Sequence, residues 1–146
     1  MIDYSGASEV LQNGLSFLAT LGFDKSTVST EQSKLAGHSL LLGYKSSIAL
    51  RRIELSYLYS QLGRPGTIIV GIFSGDGDSF SLEDWLRAKE KKIDYNFFIN
   101  HDPVRKEYDS IKKFIRTFEK LCEHDLKETL LGNEWEPIPF DWKGHK

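Results

Sequence analysis

The chain has 146 residues, 40% of them apolar, and its 21 acidic and 19 basic side chains leave a net charge of −2. That length and composition suit one globular domain over residues 1–146 with a core of its own, and they exclude a disordered chain. The near-neutral balance removes the overall positive field on which unselective nucleic-acid binding rests.

Residues 6–21 form the first predicted helix. Val10, Leu11, Leu15, Leu18 and Leu21 share one face at three- and four-residue steps. Ser5 is placed to cap its start, and Gly22 suits the left-handed stop at its end. An antiparallel sheet of about four strands follows, at 27–32, 39–45, 48–59 and 67–73. Leu40, Leu42 and Tyr44 share one face of the second, with a tight turn expected at Ser46-Ser47. In the third, Ile53, Leu55, Tyr57 and Tyr59 alternate with Arg52, Glu54 and Ser56, the pattern of a sheet with one wet face. Gly63-Arg64-Pro65-Gly66 marks a turn, and the strand after it is apolar on both faces.

Residues 74–80 are predicted to be a loop. A helix starts after Ser81, where Ser81 and Asp84 form a variant of the capping box. The longest helix opens at Asp102-Pro103 and runs to about residue 130. Its stripe is Val104, Tyr108, Ile111, Ile115, Phe118, Cys122 and Leu126, widened by Phe114, Leu121 and Leu130. Gly132 is the expected stop, and the tail holds Trp135, Pro137, Ile138, Pro139, Phe140 and Trp142. The order helix, strands, helices gives an α+β fold: an antiparallel sheet with helices packed on one face.

Few of the chemically able residues gather in sequence. The lone cysteine, Cys122, excludes an internal disulfide and fits a reducing compartment. Two residues apart on a helix, Cys122 and His124 point in different directions and cannot form a hydrogen-bonded dyad. Asp76-Gly77-Asp78 begins like a calcium loop, but Phe80 stands where the next oxygen ligand belongs. His38, His101, His124 and His145 lack metal-binding spacing. No phosphate-binding loop, dinucleotide fingerprint or nucleophile elbow is present, so neither a cofactor nor a metal is expected, and no catalytic residue is assigned. The N-terminus has no basic-then-apolar leader and no apolar run spans a bilayer, so the expected location is the cytoplasm.

Charge is distributed unevenly. Between Glu119 and Asp141, seven acids (Glu119, Glu123, Asp125, Glu128, Glu134, Glu136 and Asp141) face Lys120 and Lys127. Asp76, Asp78, Glu83 and Asp84 form a second acidic spot with no base between Phe73 and Trp85. Gathered on one side, they would attract a basic partner and speed its arrival. The partner-binding candidates are therefore Asp76, Asp78, Glu83, Asp84, Glu119, Glu123, Glu128, Glu134, Trp135 and Glu136. The ordinary reading competes with this one: Glu123 and Lys127 make an i, i+4 helix pair, and Glu83 and Asp84 suit a helix start.

Several strings together resemble the immunity proteins encoded beside bacterial contact-dependent growth-inhibition and other polymorphic toxins. They are Leu21-Gly22-Phe23, Gly43-Tyr44-Lys45-Ser46, Arg52-Ile53-Glu54-Leu55-Ser56-Tyr57 and Asp78-Ser79-Phe80-Ser81-Leu82. The ending Leu131-Gly132-Asn133-Glu134-Trp135, then Pro137-Ile138-Pro139-Phe140-Asp141-Trp142, completes the set. The resemblance implies a cytoplasmic protein, not an enzyme, that binds its cognate toxin domain and covers the active site or an essential surface. It also implies a toxin of nuclease type, whose basic cleft an acidic patch would match. Two other readings stand beside it. One is a nucleic-acid-binding regulator using Arg105, Lys106, Lys112, Lys113 and Arg116 on the 104–130 helix, with Arg87, Lys89, Lys91 and Lys92. The other is a small enzyme with scattered groups such as His38, Glu54 and His101.

Overall fold

The structure is a computed structural model, and it describes residues 4–33, 37–58, 66–89, 99–100 and 107–135. Helix α1 spans Tyr4–Gly14 and continues as a 3-10 segment over Leu15–Leu21. The sequence predicted one α-helix here. The spacing of Leu15, Leu18 and Leu21 explains the change: three-residue steps line up on one face of a three-per-turn helix, and Leu15 and Leu18 are fully buried. Because α1 starts at Tyr4, Ser5 lies inside the helix rather than before it. Gly22, at φ +90°, ends the segment in the left-handed region. The Gly22 N–H donates to Ala19 O at 3.1 Å and the Phe23 N–H to Leu18 O at 3.0 Å, which folds Phe23 back into the core.

Strands β1 (Asp24–Ser33), β2 (Gly37–Ser46), β3 (Arg51–Leu58), β4 (Gly66–Ser74) and β5 (Ser79–Ser81) form an antiparallel meander in that order. The sheet therefore has five strands in its main path where about four were expected. The added strand, Ser79–Ser81, pairs through Ile72↔Phe80. A two-residue strand, β6 (Ile99–Asn100), also joins β4. Rows such as Tyr44↔Ile53↔Ile72↔Phe80 and Leu42↔Leu55↔Val70 line the buried face. The other face carries Glu54, Ser56, Gly71 and Phe73, with Arg52 paired to Glu54 at 3.2 Å and stacked 4.3 Å from the Phe73 ring.

Helices pack on the buried face as α2 (Leu82–Ala88), α3 (Glu107–Glu123) and α4 (Lys127–Leu130). Ser81 caps α2, its hydroxyl accepting the Asp84 N–H at 3.1 Å. The Asp84 carboxylate turns to Arg87 instead of completing the expected box. The long helix is broken at 124–126, yet its apolar stripe continues: Ile111, Phe114, Phe118, Cys122, Leu126 and Leu130 are all buried. Gly14 lets α1 approach α3, since a Cβ there would collide with Ile115 Cδ1. Phe17 meets Phe118 edge-on at 6.1 Å, and Phe114 stacks on Phe118 at 5.6 Å. Burying each such side chain contributes about 1.5–3 kcal/mol. Tyr59, the 63–65 turn, Asp102-Pro103 and the tail from Glu136 lie outside the described residues. Among the described residues, no helix is long and apolar enough to cross a membrane.

Candidate protein-binding surface

One end of the sheet gathers three pieces of chain: the β2–β3 turn at 47–50, the β4–β5 loop at 75–78, and the segment after α4. Trp135 holds them together. Its Nε1–H donates to Asp78 Oδ2 at 2.8 Å, and its ring lies 5.1 Å from that of Phe80. The Arg51 guanidinium sits 4.9 Å from the same Trp135 ring. Arg51 also reaches four carbonyl oxygens: Nε donates to Thr129 O at 2.9 Å, Nη2 to Glu134 O at 3.1 Å, and Nη1 to Ala49 O and Leu50 O at 3.4 Å. Hydrogen bonds with a charged partner contribute about 1.5–3 kcal/mol when well formed. This clamp joins positions far apart in the sequence.

Two glycines make the close approach possible. A Cβ on Gly132, at φ +85°, would lie 3.0 Å from Ala49 O, and one on Gly75 would lie 2.9 Å from Leu50 Cβ. Leu50 itself has φ +55°, a left-handed conformation that costs a bulky residue about 1–2 kcal/mol. In the sequence, Ile48 and Leu50 read as the start of β3. In the structure they form the turn before it, 92% and 64% exposed. Strand pairing begins only at Arg51↔Ser46, so nothing extends the ladder over them.

The ten sequence candidates separate into different roles. Asp78 is half-buried and accepts N–H bonds from Ser79 at 2.9 Å and from Trp135, so its carboxylate and the Trp135 ring serve as structure. Asp76 is exposed. The Ser74 hydroxyl, foremost, and the Asp78 backbone N–H hold its carboxyl below the usual carboxylate range, with a further contribution from the Arg51 charge. Glu128 is exposed and accepts from Asn133 Nδ2 at 2.6 Å. Glu134 is exposed and gives only its carbonyl to Arg51. Thus Asp76, Asp78, Glu128, Glu134 and Trp135 share this end of the molecule.

Glu83 and Asp84 offer only a reduced charge. Both pair with Arg87, at 3.1 and 3.4 Å, one turn along α2. Exposed pairs of this kind contribute little to stability, and one guanidinium offsets only one of the two carboxylate charges. Glu119 and Glu123 stand on α3 one turn apart, and among the described residues neither forms an ion pair. Glu136 lies outside the described residues.

The exposed side of α3 carries Lys112, Lys113, Arg116 and Lys120, and among the described residues none of these is ion-paired. Cys122 lies on the opposite, buried side. Burial, then the charges of Glu123 and Glu119, push its thiol far above the usual range, which makes it an unreactive core residue. His38 is five residues along β2 from Gly43, the cross-strand partner of Glu54, or about 16 Å at strand rise. The structure therefore does not bring His38 and Glu54 together, and His101 lies outside the described residues. Among the described residues no three His, Cys, Asp or Glu side chains gather as metal ligands.

Sequence reasoning missed Arg51, Phe80, Ile48 and Leu50. One signal for the last two was available: they alternate in phase with Arg52 and Glu54, on the wet side, not with Ile53 and Leu55. No protein-family model matches the chain, and neither does any curated protein or solved structure.

Proposed function

We propose that this chain is a binding protein that neutralises a cognate bacterial toxin domain by covering its active site or an essential surface. The observation carrying this reading is the junction between two acidic stretches: Trp135 bonds to Asp78, bringing the 74–78 loop beside the segment from Lys127 to Trp135. Four carboxylates, Asp76, Asp78, Glu128 and Glu134, collect there with Arg51 and Lys127. Even with the charges of Arg51 and Lys127 counted, four carboxylates against two bases leave this end acidic. A basic cleft, such as a nuclease uses to hold phosphate, is the complementary surface. The partner would be met in the cytoplasm. The test is to find whether the gene immediately upstream encodes a large secreted protein and, if it does, to co-express its C-terminal domain with this chain. Rescue of growth and a complex at micromolar concentration are expected; absence of both, or of any such gene, removes the reading.

A second reading draws on a separate observation. Lys112, Lys113, Arg116 and Lys120 are exposed over about two and a half turns of α3, with Glu119 and Glu123 on the same side. Nucleic-acid binding through that face would weaken steeply with salt, because each neutralised phosphate releases counterions. Fluorescence anisotropy with duplex DNA and single-stranded RNA at 50 mM salt tests it. Binding lost on Lys112→Glu with Arg116→Glu would favour it, and no binding at that salt would remove it.

A further inference from the structure

The 47–50 turn asks for an explanation that folding does not supply. A turn closing two strands is satisfied by Gly, Asn or Asp, which enter the left-handed region at little cost. Here it carries Ile48 and Leu50, with exposures of 92% and 64%, and Leu50 occupies the left-handed position. Neither side chain is needed to fill the core, and both add apolar surface to water.

The turn is also firmly held. The Ala49 N–H donates to the buried Ser46 hydroxyl at 3.1 Å, and Arg51 holds the Ala49 and Leu50 carbonyls. Gly75 and Gly132 press on it from two sides. A protruding apolar pair on a fixed frame loses little freedom on docking, which favours affinity. Around it stand Asp76, which follows Gly75, and Glu134, whose carbonyl shares the Arg51 guanidinium. Asp76 remains ionised well into mild acid, given the hydrogen bonds it accepts. Arg52, on the sheet face beside the turn, is paired with Glu54 at 3.2 Å, so its charge is already matched there.

We infer that Ile48 and Leu50 are the apolar anchor of the interface, entering an apolar pocket rimmed by lysine or arginine on the toxin domain. This rests on the toxin-binding function proposed above and names the contact at its centre. Interfaces concentrate their affinity in a few desolvated apolar residues, while surrounding charges set arrival rate and orientation.

The experiment uses the full chain and the upstream toxin domain, inactivated at its catalytic residue, with affinity read by calorimetry. Ile48→Asp is expected to weaken binding at least about thirtyfold, as for a central contact. Leu50→Gly relieves the left-handed strain while removing the side chain. It is expected to raise or preserve the thermal midpoint and still weaken binding about tenfold. If the unaltered chain binds and both variants bind equally well, the anchor is wrong while toxin binding stands. If the unaltered chain does not bind, both ideas fall together. A Leu50→Gly protein that melts earlier and binds weakly would also overturn the inference, since the side chain would then be structural.

Discussion

Asp78 and Glu123 belong to the same acidic character in the sequence and are put to opposite uses in the fold. Asp78 is half-buried, takes two N–H bonds and ties the β4–β5 loop to Trp135. Glu123 is exposed near the end of α3, and among the described residues it forms no ion pair. The difference shows that counting carboxylates overstates the field a surface can offer. Asp78 keeps its charge but is committed to donors that hold the chain together, and Arg87 offsets one of the two charges of Glu83 and Asp84.

The strongest way to break this contrast is to cut the clamp. Trp135→Ala should cost about 3 kcal/mol in urea unfolding, because it removes ring packing and the bond to Asp78 together. Trp135→Phe keeps a ring and should cost about half of that, chiefly the lost hydrogen bond. Equal costs for the two would deny the ring a role. Arg51→Lys ranks next, at about 2 kcal/mol, since an ammonium cannot span four carbonyls and lie against the Trp135 ring at once.

Cys122 gives a smaller, pH-dependent effect. Its thiol is raised in the folded state by burial and by Glu123 and Glu119, so only the unfolded chain ionises near the ordinary thiol pKa, about 8.5. Stability should be indifferent to this group below that pH and fall by about 1 kcal/mol per pH unit above it. Cys122→Ala should flatten that slope, as read from urea midpoints between pH 8 and 10. Glu119→Lys with Glu123→Lys should have the smallest effect on stability, within about 0.5 kcal/mol. Its consequence should instead be slower association with the toxin domain at low salt, and less change in dissociation. A loss of stability like that of Trp135→Phe would erase the contrast with Asp78.

Local rules were legible in the sequence wherever a residue answers to its neighbours. The alternation around Ile53, Leu55 and Tyr57 marked the buried face of β3, Gly22 marked a stop, and Ser81 marked a cap. Strand β5 was harder to see, because Ser79-Phe80-Ser81 is too short for a period and Ser81 already serves the helix. The break at 124–126 was hidden because Leu126 and Leu130 keep the stripe's spacing across it. The part of the candidate surface that depends on Arg51 could not be read at all. Its acceptors at Thr129 and Glu134 are 78 and 83 positions away, and no periodicity reports a bond of that range.

The most direct measurement is the association rate of this chain with the toxin domain proposed as its partner, at 50 and 300 mM salt. A complex whose formation slows markedly at the higher salt is the expected result, as for an acidic surface meeting a basic cleft. A rate indifferent to salt, or no complex at micromolar concentration, would contradict the account.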